Sequence, residues 1–126
     1  MTTRFDFTGT TVAVTGAGHG FGRAIAQSFA AAGARVFGTD LSDAELAETA
    51  KAPGSLATSA FDLTARGAAK RWIAEIEQKT GGPIGVLVSN AGGVRGQVMR
   101  PVEEVPEEDW HALFDINLHA CFALAQ

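Results

Sequence analysis

The sequence contains no tyrosine, only one cysteine, no surplus of positive charge and no long unbroken apolar run. Without tyrosine, no phenol within residues 1–126 is available to exchange a proton. A lone cysteine, Cys121, cannot form an internal disulfide. Its apolar neighbours lead us to expect a small buried hydrophobe rather than a nucleophile or metal ligand. Ten Lys and Arg against fourteen Asp and Glu give a net charge of -4, which favours neither nucleic acid nor an anionic membrane as a partner. No segment approaches the length of a membrane span. Residues 1–9 carry Asp6 and lack the apolar centre of a secretion signal, so a cytoplasmic location is expected.

With 46% hydrophobic and 19% charged residues, the composition is that of a folded protein. A 126-residue chain forms one domain or part of one, able to bury roughly 65% of its unfolded surface. Short Val, Ile and Phe-rich runs alternate with alanine-rich stretches of helical period, the βαβ pattern of a parallel sheet covered by helices. Strands are expected at 11–15, 35–39, 56–61 and 84–89. The last is almost continuously apolar and should lie near the middle of the sheet.

A first helix is expected over 21–32, facing the sheet through Phe21, Ile25, Phe29 and Ala32 and ended by Gly33. A second, over 43–51, has Ser42 as its cap; a third, over 65–79, has Thr64 as its cap and packs through Ala69, Trp72, Ile73 and Ile76. A last helix begins at Pro106, with Glu107, Glu108 and Asp109 suited to the positive end of its dipole. Its pattern is still running at Gln126, so the segment is expected to be the first half of a longer domain.

Thr15-Gly16-Ala17-Gly18-His19-Gly20-Phe21-Gly22 follows the first strand directly and opens the first helix. Glycines 16, 20 and 22 fit Thr-Gly-x-x-x-Gly-x-Gly, and not the more widespread Gly-x-Gly-x-x-Gly. One glycine permits the tight turn, one lets backbone approach a pyrophosphate, and one lets the helix pack close with its amides aimed at the anion. Asp40 ends the second strand, where a carboxylate can accept hydrogen bonds from both hydroxyls of an adenosine ribose and repel a 2'-phosphate. NAD is therefore expected over NADP, a preference that a protonated His19 beside the turn would soften. Asp62, after the third strand, either meets the adenine or forms a plain turn with Leu63 and Thr64.

Taken together, these residues resemble the short-chain dehydrogenase/reductase family over essentially the whole chain. The glycine turn from Thr15 to Gly22 is similar to the family's cofactor motif, Asn90-Ala91-Gly92 to its Asn-Ala-Gly motif, and Asn117 in Asp115-Ile116-Asn117-Leu118 to its helix asparagine. The resemblance implies a doubly wound α/β sheet of Rossmann type, present here as about four strands and four helices of a larger sheet. It implies that Thr15, Gly16, Gly18, His19, Gly20, Phe21, Gly22, Asp40, Asp62, Asn90, Ala91 and Gly92 border the cofactor. It also implies that Asn117 distorts its helix and holds a water in the proton relay, and that the protein is a dimer or tetramer. From spacing alone, Asn117 shares a face with Trp110, Leu113, Phe114 and Cys121 that should turn toward the core.

The family's serine and Tyr-x-x-x-Lys site are not within these residues. The expected parent is an NAD-dependent dehydrogenase or reductase acting on an alcohol or carbonyl of a small molecule, the isolated chain being inactive; a non-catalytic NAD-binding module is the alternative, and a methyltransferase a weaker one. Arg95, Gln97 and Arg100, in 93–105, either border a substrate mouth or lie in a solvated loop. His111 and His119 are expected at ordinary helix positions.

Overall fold

A computed structural model describes residues 3–126; Met1 and Thr2, part of the amino-terminal stretch read above, lie outside the described residues. Strands β1 (Thr11–Thr15), β2 (Arg35–Asp40), β3 (Ser55–Ala60) and β4 (Val86–Val88) form one parallel sheet in the order β3-β2-β1-β4. Between them run α1 (Gly20–Ala31), α2 (Asp43–Thr49) and α3 (Ala68–Thr80). After β4 comes one helical stretch made of α4 (Glu107–Phe114), a π turn (Asp115–His119) and α5 (Ala120–Ala125).

Alternation along the strands sends successive side chains to opposite faces, and each face has its own core. Val12, Val14 and Val36 pack with Ala26 and Ala30 of α1 and Leu46 of α2. On the other face, Ala13 and Phe37 pack with Trp72 and Ile76 of α3 and with Ile116, Ala120 and Leu124. Helices on both faces of a parallel sheet make this the doubly wound α/β fragment expected. Cross-strand register aligns Thr15 with Thr39, which brings the ends of β1 and β2, and the turns that follow them, side by side.

Several elements depart from the sequence reading. β4 spans three residues, pairs only with β1 and stands at the edge of the sheet among the described residues. Helix α1 faces the sheet through Gly22, Ala26 and Ala30, while Phe21 is 85% exposed. Small side chains at four-residue spacing let the helix lie closer to the strands than a row of large ones would.

Helix α3 begins at Ala68 behind Gly67, because Thr64 is engaged by Asp62 instead of capping the helix. In the last helix, Trp110, Phe114, Asn117 and Cys121 are exposed, contrary to expectation, and only Leu113 of that set is half-buried. The helix seats on the sheet through the adjoining stripe Ile116, Ala120 and Leu124, and no described element covers its other side.

Candidate functional site

The site forms where the carboxyl ends of β1, β2 and β4 meet. Thr15 is fully buried, and its Oγ1 accepts the amide hydrogens of Asn90 (3.1 Å) and Ala91 (3.0 Å). One hydroxyl thus fastens the glycine turn to the Asn-Ala-Gly segment 75 residues away. Asn90 Nδ2 closes the join by donating to the Gly16 carbonyl at 3.2 Å.

The glycines carry different duties. A Cβ on Gly22 would lie 1.8 Å from the Gly16 carbonyl oxygen, so the first turn of α1 can rest on the strand end only without a side chain. Gly18 is glycine for another reason, since a Cβ there would lie 2.8 Å from Asp40 Oδ2. Gly20, at φ +54°, meets nothing within 4 Å and leaves open space where the helix begins. No side chain caps α1, and no acidic residue occupies its first turn. Its leading amides and the positive end of its dipole therefore remain available to an anion. This is a cradle that fits a pyrophosphate.

Asp40 is half-buried beside this turn. Its Oδ2 accepts the Gly18 amide at 2.9 Å and its Oδ1 the Leu41 amide at 2.7 Å. Between the turn and the Asn90 segment lies a groove of about 160 Å³ that brings together Gly16, His19, Asp40, Asp62, Asn90, Ala91 and Gly92. Of the other expected residues, Thr15 and Gly18 do not line it, and Gly20, Phe21 and Gly22 open α1 outside its lining. His19 and Glu45 are exposed, 3.9 Å apart, and with Asp40 they place three potential metal-ligand atoms within 4.8 Å of one another. Asp40 already holds two amides in that cluster.

Asp62 Oδ1 accepts both the Thr64 hydroxyl (2.6 Å) and the Thr64 amide (2.9 Å). Those bonds, the hydroxyl first, hold its carboxyl below the usual aspartate range. The turn and the groove-lining position hold together here, for the same residue does both.

Asn117 lies outside the groove lining and spends its amide on backbone: Oδ1 accepts the Gly93 N–H, and Nδ2 donates to the carbonyls of Gly93 and Leu113, each at 2.9 Å. Reaching back to Leu113 occurs where the helix widens, the Ala120 amide bonding Asp115 in place of the residue four back. The helix distortion implied by the resemblance is present, with the asparagine tying the Gly93 loop to it. Gly92 must be small here, since its Cβ would lie 2.6 Å from Asn117 Oδ1.

Sequence reading missed Arg23 and Thr49, which grip the glycine turn from behind. No local signal marks Thr49, which meets its partners only through tertiary folding. Arg95 lines the groove beside Asp62, whereas Gln97 and Arg100 bond one another, with Arg100 also paired to Asp109 at 2.9 Å. His119 pairs with Asp115 at 2.9 Å on the exposed face of the π turn rather than at an ordinary helix position.

The family model described as short chain dehydrogenase matches residues 10–126. The chain is similar to 2-dehydro-3-deoxy-D-gluconate 5-dehydrogenase of Bacillus subtilis, 34% identical over 97% of this chain and 47% of the relative. Similarity to (3R)-3-hydroxyacyl-CoA dehydrogenase of Mus musculus is 35%, over 90% of this chain and 47% of that one. Among solved structures, a glucose/ribitol-type short-chain dehydrogenase/reductase of Brucella melitensis superposes with a TM-score of 0.85 at 36% identity, over 98% of this chain and 50% of that one. A metagenomic short-chain oxidoreductase in complex with NADP gives 0.84 at 32%, over 94% and 54%. The chain spans about half the length of the curated relatives it matches. With the cradle, the Asn90 segment and the widened helix in place along one matched stretch, the chain belongs to the short-chain dehydrogenase/reductase family of oxidoreductases.

Proposed function

We propose that this segment holds NAD(H) for an enzyme that interconverts an alcohol and a carbonyl on a small-molecule substrate. The observation that carries the cofactor choice is Asp40, a carboxylate fixed at the end of β2 by the Gly18 and Leu41 amides. Such a carboxylate accepts hydrogen bonds from ribose hydroxyls and repels a 2'-phosphate, and no cation of Leu41 offsets it. The amides opening α1 face the pyrophosphate, with Gly16, Gly18, Gly20 and Gly22 allowing its approach. Asp62 meets the adenine, Asn90 and Ala91 border the adenosine, and Gly92 gives clearance, while His19 and Phe21 flank the entrance. When bound, the nicotinamide supplies or accepts the hydride.

In this reading Asn117 serves the chemistry by holding the loop at Gly93. Residues 1–126 offer no phenolic proton donor, so the isolated chain binds the nucleotide without turnover, as the first half of one longer domain. A homo-oligomer contact falls on Trp110, Phe114, Leu118 and Phe122, a four-residue stripe exposed by 52, 37, 54 and 65%.

The test is a calorimetric titration with NADH and with NADPH of the wild type and of Asp40→Ser. The wild type is expected to prefer NADH, and the variant to lose about tenfold of that preference, one ribose-hydroxyl interaction with a charged acceptor. A wild type that prefers NADPH contradicts the proposal.

A further inference from the structure

Outside the groove lining, α2 ends on Thr49, a fully buried polar residue bonded to the glycine turn. Its hydroxyl has one proton to give, and the Ala17 carbonyl lies nearest at 2.8 Å, with those of Glu45 and Gly18 at 3.1 and 3.3 Å. The same oxygen accepts from Arg23 Nε at 3.1 Å. Arg23 Nη2 in turn donates to the Gly18 carbonyl and, at 3.2 Å, to that of Glu45. Two side chains from different helices thus take both carbonyls of the Ala17-Gly18 stretch.

A planar trans peptide points its C=O and N–H in opposite directions. Drawing the Ala17 carbonyl toward Thr49 therefore turns the Gly18 N–H the other way, onto Asp40 Oδ2 at 2.9 Å. Drawing the Gly18 carbonyl toward Arg23 likewise turns the His19 N–H away from α2, and that N–H bonds no group among the described residues. The staple therefore sets the direction of one amide that aims the carboxylate and of the next, which is left for a ligand.

We propose that Thr49 and Arg23 are positioning residues for nucleotide selectivity, acting on Asp40 through the Gly18 peptide. The proposal rests on the reading of Asp40 as the residue that receives the ribose. Thr49 does not line the groove, so its influence on the nucleotide is indirect. Removing the hydroxyl while keeping the shape leaves the Ala17 carbonyl without its partner, frees the peptide to rotate, and lets Asp40 swing off the position that separates a ribose from a ribose 2'-phosphate.

The experiment measures Kd for NADH and for NADPH on Thr49→Val, Thr49→Ser and Arg23→Lys, with melting curves on the same samples. Thr49→Val is expected to lower the Kd ratio of NADPH to NADH by about fivefold, the worth of one hydrogen bond. Thr49→Ser, which keeps the hydroxyl, restores the ratio. Arg23→Lys, which keeps the charge but loses the fork, lowers it and serves as the second variant if Thr49→Val does not fold. Thr49→Val on an Asp40→Ser background changes the ratio no further. A lowered melting temperature with an unchanged ratio in both Thr49→Val and Arg23→Lys overturns the staple alone, leaving the reading of Asp40 standing. A wild type that prefers NADPH, or binds neither, overturns both.

Discussion

The glycine turn and the loop over 93–105 lie on either side of Asn90-Ala91-Gly92 and are built in opposite ways. The turn is tied to distant chain by buried hydroxyls: Thr15 to Asn90 and Ala91, Thr49 to Ala17. The loop's bonds are mostly local, such as Gln97 N–H to the Val94 carbonyl and Arg100 to Gln97. Its longer ties are the Arg100–Asp109 pair and the clasp of Asn117 on Gly93. Met99 in that loop is fully exposed. A site that must present backbone amides in fixed directions needs non-local bonds to hold them, because a short turn has too few bonds of its own. A loop with few such bonds is freer to differ between relatives acting on different substrates.

Substituting glycine in the two regions should separate them most sharply. Gly22→Ala places a methyl 1.8 Å from a carbonyl oxygen of the backbone, which cannot move without tearing the strand end. We expect at least ~3 kcal/mol of destabilisation or failure to fold, measured by denaturant unfolding. Gly96→Ala, at φ +77° with nothing within 4 Å, meets only its left-handed backbone cost of about 1–2 kcal/mol. Equal losses would mean that the turn is no more tightly fitted than the loop.

Asn117→Ala should cost far less than Gly22→Ala and about as much as Gly96→Ala. It removes three hydrogen bonds around an exposed clasp, and water replaces part of them, so a loss of about 1–2 kcal/mol is expected. Hydrogen exchange resolves its location: the Gly93 amide should exchange faster while that of Asn90, held by Thr15, should not.

Acidification gives the smallest effect. The Thr64 bonds lower the Asp62 carboxyl in the folded state, so they stabilise the fold above the unfolded aspartate value and that contribution is lost as pH falls through the folded one. Thr64→Val should therefore differ from wild type near neutrality, with the difference shrinking below about pH 4 and down to the folded value. Solvent around this exposed turn keeps the difference small. A gap that widens with acid would reverse the assignment.

The glycine turn and the groove beside it were legible in the sequence because their signals are local: glycines at fixed spacing after a strand, Asp40 at the end of the next, Asn90 just after β4. What it hid are relations between distant residues. Thr49 and the carbonyl of Ala17 are 32 residues apart, and a threonine near a helix end carries no mark of such a partner. Phe21 was misplaced because period counting favours large residues, whereas close helix-sheet packing selected Gly22, Ala26 and Ala30. The start of α3 moved because Asp62 competed for Thr64. The last helix seats on the sheet through Ile116, Ala120 and Leu124, a stripe beside the one its large aromatic residues mark.

We propose that the fixed turn, and not the loop, receives the nucleotide. An amide-resolved NMR titration with NADH tests it most directly. Binding at the turn should shift Gly18, His19, Gly20, Gly22, Leu41 and Asn90 to Gly92, with Val94 to Glu104 little changed. Shifts concentrated in the loop, with the turn unmoved, would contradict it.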